Sequence, residues 1–407
     1  MADLRGYLFV GGVAAATTFV CTPIVRAVSL RRGWVVEPDE RRVHERVTPD
    51  VGGMAMLAGL LVAMLVAWRM DRFHEVFTTT EPLAIVLAGV VMYTVGFVDD
   101  LREVSAPAKV AGMVLASSCL FLLGVQILNV KLPFLDLTYI PDDLSPLITT
   151  LWVIGMANAV NLIDGLDGLA AGIVAIGSAT FFAYAYDLIG DGSGYLDPSS
   201  SGPLVAIVVC GLCVGFLPWN VHPARIFMGD GGALLLGVLM ASSTVVVGGQ
   251  SGDSVARGQT YFFFAPLFIP LVILGVPVVD TVWAIIRRAT RRAGLATADK
   301  DHLHHRLMRL GHGHWRSVAI LWGWTAALSI LVLYPVYNDS GNGVVPFLVV
   351  ASFLVLYTVL HPEVRRRAAD APPAVDAPPA VDEPLPHRSA PSESDVSDVL
   401  PARGPDA

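Results

Sequence analysis

Long apolar blocks separated by short polar stretches dominate this chain. Segments 204–217 and 318–336 contain no acid or base at all. Roughly 20 mostly apolar residues cross a hydrocarbon core about 30 Å thick. Eleven blocks qualify: 6–28, 51–69, 82–98, 107–125, 146–160, 167–187, 202–218, 231–249, 260–287, 316–336 and 343–361. The pattern predicts an all-α polytopic membrane protein with about 11 transmembrane helices. The first block does not read as a cleavable signal, because it lacks a basic start and a small-residue exit.

Basic residues set the expected orientation. With the N-terminus outside, loops 29–50, 99–106, 161–166, 219–230 and 288–315 share one side with the C-terminal tail. That side carries 22 of the 27 Lys/Arg, leaving Arg5, Arg69, Arg72, Lys131 and Arg257 on the other. The basic side is expected to be cytoplasmic, with the N-terminus out and the C-terminus in. Composition supports a membrane protein: 54% of residues are hydrophobic and 15% charged, against about 45–50% and about 25% in soluble domains. Mean hydropathy is +0.61.

The net charge of −8 does not signal a basic partner, because nine acids against five Lys/Arg lie in residues 362–407. The remainder is nearly balanced, and nothing points to nucleic acid. Residues 362–407 repeat Ala-Pro-Pro-Ala-Val-Asp at 371–376 and 377–382, a composition that cannot bury an apolar face. The expected organisation is a membrane domain, 1–361, and a disordered tail, 362–407. Cys21, Cys119, Cys210 and Cys213 all fall in apolar runs, so Cys210-x-x-Cys213 reads as two small core residues rather than a redox or metal pair.

Polar groups at membrane depth are costly, so their positions carry information. Four clusters all map to the expected cytoplasmic side. Asp99-Asp100 closes one apolar run, and two adjacent carboxylates need a counter-charge such as a divalent cation. In 158–168, Asn158, Asn161 and Asp164 follow three-residue steps that keep them in one sector of a helix, with Asp167 following. Gly165 and Gly168 permit a turn or a close backbone approach to a ligand. These amides and carboxylates suit hydrated Mg²⁺ or the edges of a ribose and base. In 220–232, Asn220, His222, Arg225 and Phe227 precede Asp230 at a helix start, where backbone N–H groups attract phosphate; an ordinary N-cap role for Asp230 is the simpler alternative. Around 299–306, His302, His304, His305 and Arg306 sit among Arg287, Arg288, Arg291 and Arg292. Zinc is disfavoured there because no matching Cys or His pair occurs elsewhere, and a phosphate-binding loop fits better. Arg41, Arg42 and His44 suit an anionic lipid head or ordinary basic flanking.

In chain order these clusters resemble the polyprenyl-phosphate N-acetylhexosamine-1-phosphate transferases, membrane enzymes that begin bacterial cell-envelope glycans and include the phospho-MurNAc-pentapeptide translocases as relatives. Five motifs carry the resemblance across nearly all of 1–361: Arg42-x-His44 with Pro49 and Gly52-Gly53; Asp99-Asp100; 158–168; Phe227-Met228-Gly229-Asp230; and His302-x-His304-His305-Arg306. The opening motif and the Asp-Lys-x-His-Leu-His-His-Arg loop resemble the GlcNAc-1-phosphate branch, as do eleven spans with a cytoplasmic C-terminus. Departures are Glu103 where Asp is common, Ala233 where Ser is common, and Met113 where the family often has Gln.

The resemblance implies GlcNAc-1-phosphate transfer from UDP-GlcNAc to polyprenyl phosphate in the bacterial plasma membrane, with Mg²⁺ or Mn²⁺, the active site cytoplasmic and a homodimer compatible. It implies metal ligation by Asp230 and Asn161 and catalytic roles for Asp99, Asp100, Asp230 and His304. Asp99 would act as base toward the lipid phosphate. A covalent role for one of these acids is the other family proposal. Asn158, Asp164, Asp167, Asn220 and Phe227 would bind the donor, Phe227 by stacking on the base. Lys109, His302, His305 and Arg306 would face phosphates and sugar, and Arg42 and His44 the lipid head. A MurNAc-pentapeptide or other UDP-hexosamine donor is the alternative within the class. An ion-coupled transporter would instead place acids near mid-span in repeated halves, which this sequence does not do.

Overall fold

The computed structural model describes residues 3–36, 47–102, 104–130, 138–190, 196–248, 313–337 and 348–354, all within a compact unit spanning 1–367. Eight helices follow in order: α1 Leu4–Arg32, α2 Gly53–Arg69, α3 Glu81–Arg102, α4 Ala106–Leu122, α5 Ser145–Ile163, α6 Leu169–Gly190, α7 Gly202–Asn220 and α8 Gly229–Gly248. A ninth, α9, covers His314–Tyr337, and residues 348–354 are also helical. Six helices (α1, α3, α5, α6, α7 and α8) are long and apolar enough to cross a membrane, and α2 and α4 are shorter apolar helices. The chain is therefore a mostly helical, multi-pass membrane protein. The expected block 260–287 lies outside the described residues, as does most of 343–361.

Two small antiparallel ribbons add strand to the expected all-α fold. β1 Val35–Val36 pairs with β2 Thr48–Pro49, and β3 Asn129–Val130 with β4 Thr138–Tyr139. Each has two residues per strand and supplies local pairing in a loop, not a sheet.

Two helices run past their apolar blocks into polar sequence. α3 continues through Arg102, so Asp99 and Asp100 ride its last turn rather than a loop. α5 extends to Ile163, carrying Asn158 and Asn161, and stops at Asp164, whose backbone leaves the helical region. In both places intrahelical hydrogen bonding continues after the apolar run ends, because the helix terminates on packing and caps rather than on hydropathy.

Helices α1 to α8 alternate in direction, which gathers their ends into two poles. At one pole Tyr7 of α1 packs against Phe73 of the α2–α3 connection and Phe182 and Tyr186 of α6. There too the side chain of Asp3 caps α1 and meets Arg72, and Glu81 accepts a hydrogen bond from Ser201 Oγ at 2.8 Å. The opposite pole joins the starts of α2, α4, α6, α8 and α9 to the ends of α3, α5 and α7. α8 packs against α2, α3, α5 and α7, and its residues 231–247 are buried throughout. It is the central post of the bundle. All four cysteines are free thiols, with Cys213 buried and Cys210 half-buried on α7.

Candidate active site at the start of α8

The start of α8 is built by close backbone approach. Gly229 has φ +71°, and a Cβ there would lie 2.4 Å from the Asp50 carbonyl oxygen and 2.7 Å from Asp100 Oδ2. A side chain would meet both strain and overlap. Beside it, residues 49–53 and 227–228 are laced together: Phe227 N donates to Pro49 O at 2.8 Å, Gly52 N to Phe227 O at 2.9 Å and Gly53 N to Met228 O at 2.9 Å. Pro49 and Gly52-Gly53 of the opening motif thus seat the segment that leads into Asp230.

Asp100 caps α8 from another helix. Its Oδ1 accepts from Asp230 N at 2.7 Å and its Oδ2 from Gly231 N at 3.0 Å. Two of the free N–H groups of that helix start therefore face a carboxylate of the chain itself, which complements the positive end of the helix dipole. This corrects two expectations. These N–H groups are not open to phosphate, and Asp230 is not its own N-cap. Capping by Asp100 leaves the Asp230 carboxylate available, and Lys109 of α4 takes it.

Lys109 Nζ donates to Asp99 Oδ2 at 2.7 Å and also to Asp230 Oδ2. Asp99 Oδ1 further accepts from Val104 N at 2.7 Å. One ammonium thus draws together acids 131 positions apart in sequence, from α3 and α8, with all three side chains partly shielded from water. Charge-assisted hydrogen bonds of this kind are about twice as strong as neutral ones.

Negative charge exceeds what one lysine can balance. Asp164, just beyond α5, is held well above the usual carboxylate range, first by loss of hydration and then by the charges of Asp50, Asp230, Asp100 and Asp167. Those electrostatic partners put Asp164 in the neighbourhood of the Asp100–Asp230 cluster. The surplus, together with donors that are all oxygens, fits a hard divalent cation such as Mg²⁺ or Mn²⁺. Asn161 is half-buried on the last turn of α5, three residues before Asp164.

Other expected site residues have different duties. Asn220 is 2% exposed; its Oδ1 accepts from Gly168 N at 2.9 Å and its Nδ2 donates to Ile226 O at 3.1 Å. It bolts the α5–α6 loop to the segment before α8, a positioning role. Asn158 turns back on its own helix, donating to Ile154 O at 2.8 Å and facing Met113 Sδ at 3.6 Å. The unusual Met113 therefore meets Asn158 directly, a soft contact where an amide would give a stronger hydrogen bond. Asp167 Oδ2 accepts from Ala224 N at 3.0 Å and lies 2.7 Å from His222 Nδ1. Phe227 is half-buried, fixed through its backbone as described above. Arg42, His44, His302, His304, His305 and Arg306 lie outside the described residues.

Paired acids with a shared lysine stand at one end of an apolar helical bundle. Residues 82–248 match the profile of glycosyl transferase family 4. Over 371 residues the chain is 33% identical to the decaprenyl-phosphate N-acetylglucosaminephosphotransferase of Mycolicibacterium smegmatis, covering 89% of this chain and 90% of the relative. It is also 33% identical, over 323 residues, to the probable undecaprenyl-phosphate N-acetylglucosaminyl 1-phosphate transferase of Bacillus subtilis, covering 79% of this chain and 83% of the relative. A phospho-N-acetylmuramoyl-pentapeptide-transferase of Streptomyces griseus is 31% identical over 319 residues, 65% of this chain and 88% of the relative. The chain belongs to glycosyl transferase family 4, among the polyprenyl-phosphate N-acetylhexosamine-1-phosphate transferases. This is the family expected from the five motifs.

Proposed function

We propose that the protein transfers GlcNAc-1-phosphate from UDP-GlcNAc to polyprenyl phosphate, giving polyprenyl-diphospho-GlcNAc and UMP. The observation that carries this reading is the Asp99–Lys109–Asp230 cluster set by the Asp100 cap. The names of the relatives supply the acceptor and the sugar. The GlcNAc relatives named above are 33% identical over 79–89% of the chain, against 30–31% over 65–80% for two pentapeptide enzymes, which favours the smaller donor.

In the reaction a lipid-phosphate oxygen attacks the β-phosphorus of the donor. The bond from that phosphorus to the bridging oxygen breaks, and UMP leaves with the oxygen. Such transfers depend on positioning and on stabilising spread negative charge. Asp99 would accept a proton from the lipid phosphate. Lys109 offers positive charge between Asp99 and Asp230, and Asp100 fixes where Asp230 points. Asp230 and Asn161 would hold Mg²⁺ or Mn²⁺, which when bound neutralises the diphosphate and orients it. Asp164 and Phe227 would face the uridine; His302, His304, His305 and Arg306 would face phosphates and sugar, and Arg42 and His44 the lipid head. The finer topology belongs to the same proposal: eleven spans, N-terminus out, C-terminus in and a cytoplasmic active site in the plasma membrane.

The test is UMP release by purified protein with polyprenyl phosphate and Mg²⁺, offering UDP-GlcNAc and UDP-MurNAc-pentapeptide in parallel. Turnover with UDP-GlcNAc alone is expected. Turnover with the pentapeptide donor would overturn the branch, and silence with both would overturn the donor assignment.

A further inference from the structure

Beside the acid–lysine cluster lies a second group of different chemistry. Asp167 follows α5, His222 follows α7, and His314 opens α9. One donor atom from each lies within 4.8 Å of the other two. The imidazoles of His222 and His314 stack with centroids 4.2 Å apart and planes 21° apart. Three separate stretches of chain thus bring nitrogen and oxygen donors to one spot.

The group is only partly satisfied internally. Asp167 is held by Ala224 N and His222. Both ring nitrogens of His314, however, are closed off from solvent without a well-aligned hydrogen bond among the described residues. Buried imidazole nitrogens ordinarily find a partner. Among the described residues, the neighbours acting on His314 are Asp167, through its charge and its backbone, and His222.

We propose that Asp167, His222 and His314 form a binding site for a divalent transition-metal ion of the zinc class, separate from the Asp230 site. Two imidazoles and a carboxylate suit Zn²⁺ or Co²⁺ far better than Mg²⁺, which prefers oxygen. Ligand atoms around a tetrahedral zinc stand about 3.3 Å apart, so closure needs movements of no more than about 1.5 Å. The His222 side chain, 43% exposed, has room to make them. Its exposure also gives the ion a route in and leaves a fourth position for water. Asp167 has two ways to serve, binding the ion directly or orienting His222 from behind.

Cobalt titration of the tag-free, full-length, chelator-stripped protein in detergent tests this, because tetrahedral Co²⁺ has a visible absorption band. One equivalent is expected to bind, with displacement by Zn²⁺ and none by excess Mg²⁺. His314→Ala and His222→Ala should each weaken binding at least about 10-fold. Asp230→Asn and a triple His302/His304/His305→Ala variant should retain the band. No band in the wild type would reduce the group to a hydrogen-bonded Asp–His pair and overturn the site. So would a band that survives His314→Ala, or one that disappears with Asp230→Asn or the triple variant. Where His314→Ala does not give a monodisperse protein, His222→Ala at its exposed position decides alone, and an unchanged band there overturns the site.

Discussion

An 18-residue stretch of α1 and one of α8 have the same mean hydropathy, yet 33% of the first is buried and 94% of the second. Burial from water cannot separate them, because lipid is as apolar as leucine and does not drive one helix inward over another. Partner geometry does. α8 opens on Gly229-Asp230-Gly231-Gly232. A Cβ on Gly53 of α2 would lie 2.3 Å from Gly232 N, and one on Gly96 of α3 would lie 2.5 Å from the Asp230 carbonyl. Three backbones converge there with no side chain between them. α1 makes such contact along one stripe only, where Gly11 faces Gly211 of α7, and turns Leu8, Phe9, Phe19, Val20 and Ile24 outward. The central position follows from small residues and one capped polar terminus.

The sharpest way to break this contrast is at the terminus itself. Asp230→Asn should lower UMP release on the order of 10³-fold while leaving the helix start capped, since the donor to Asp100 is the backbone N–H. Lys109→Met should lose at least about 10²-fold and also destabilise, because it leaves Asp99 and Asp230 facing each other without a cation. Both are read from turnover and thermal unfolding of the same preparations. An active Asp230→Asn enzyme would remove the acid from the mechanism.

Next come the glycines. Gly53→Ala drives a methyl into the Gly232 backbone, and overpacking of this kind costs about 1–3 kcal/mol. Gly96→Ala pushes on Asp230 directly, so activity should fall further than the loss of Tm accounts for. If both variants melt like the wild type, backbone contact does not hold α8 at the centre.

Much of this was legible beforehand, for identifiable reasons. Nine expected apolar blocks return as helices α1 to α9, six of them long and apolar enough to cross a membrane, because a lipid core demands long apolar helices whatever their partners. Asp99, Lys109 and Asp230 are charges beside apolar sequence, which is conspicuous in any reading. Asp100 was visible but its duty was not: a cap supplied in trans leaves no local spacing to detect. Asn158 and Asn220 are conspicuous for their polarity, but sequence does not show that their amides tie backbone segments together. The Asp167–His222–His314 group escaped because its members are 55 and 92 positions apart in succession and share no motif.

A smaller effect should come from pH. Asp164 has a folded-state affinity for protons raised above its ordinary value of 3.8, so the folded protein binds more protons than the unfolded chain. Stability therefore declines as pH rises from about 3.8 through the folded value. Asp164→Asn removes that decline, so the variant should melt higher than wild type at neutral pH and gain less from added Mg²⁺. Melting curves across pH 4–8, with and without Mg²⁺, measure both. A wild type whose Tm is indifferent to Asp164→Asn would mean that the surplus charge is already compensated.

The least effect is expected on the outer face of α1. Val20 and Ile24 are each 59% exposed, facing the apolar solvent of the bilayer instead of another helix. Truncating either to Ala exchanges contact with lipid for contact with lipid, so the change should stay within about 0.5 kcal/mol and turnover should not move. The same truncation in α8, Leu235→Ala at a fully buried position, leaves a cavity that neighbouring helices cannot fill and should cost about 2–5 kcal/mol. The apolar stretches of the two helices have equal hydropathy, so hydropathy alone predicts similar losses at comparable side chains. Only their different packing predicts that one truncation is silent and the other is not. Thermal unfolding of the Ile24→Ala and Leu235→Ala proteins side by side therefore tests the contrast itself, and equal shifts in Tm would refute it.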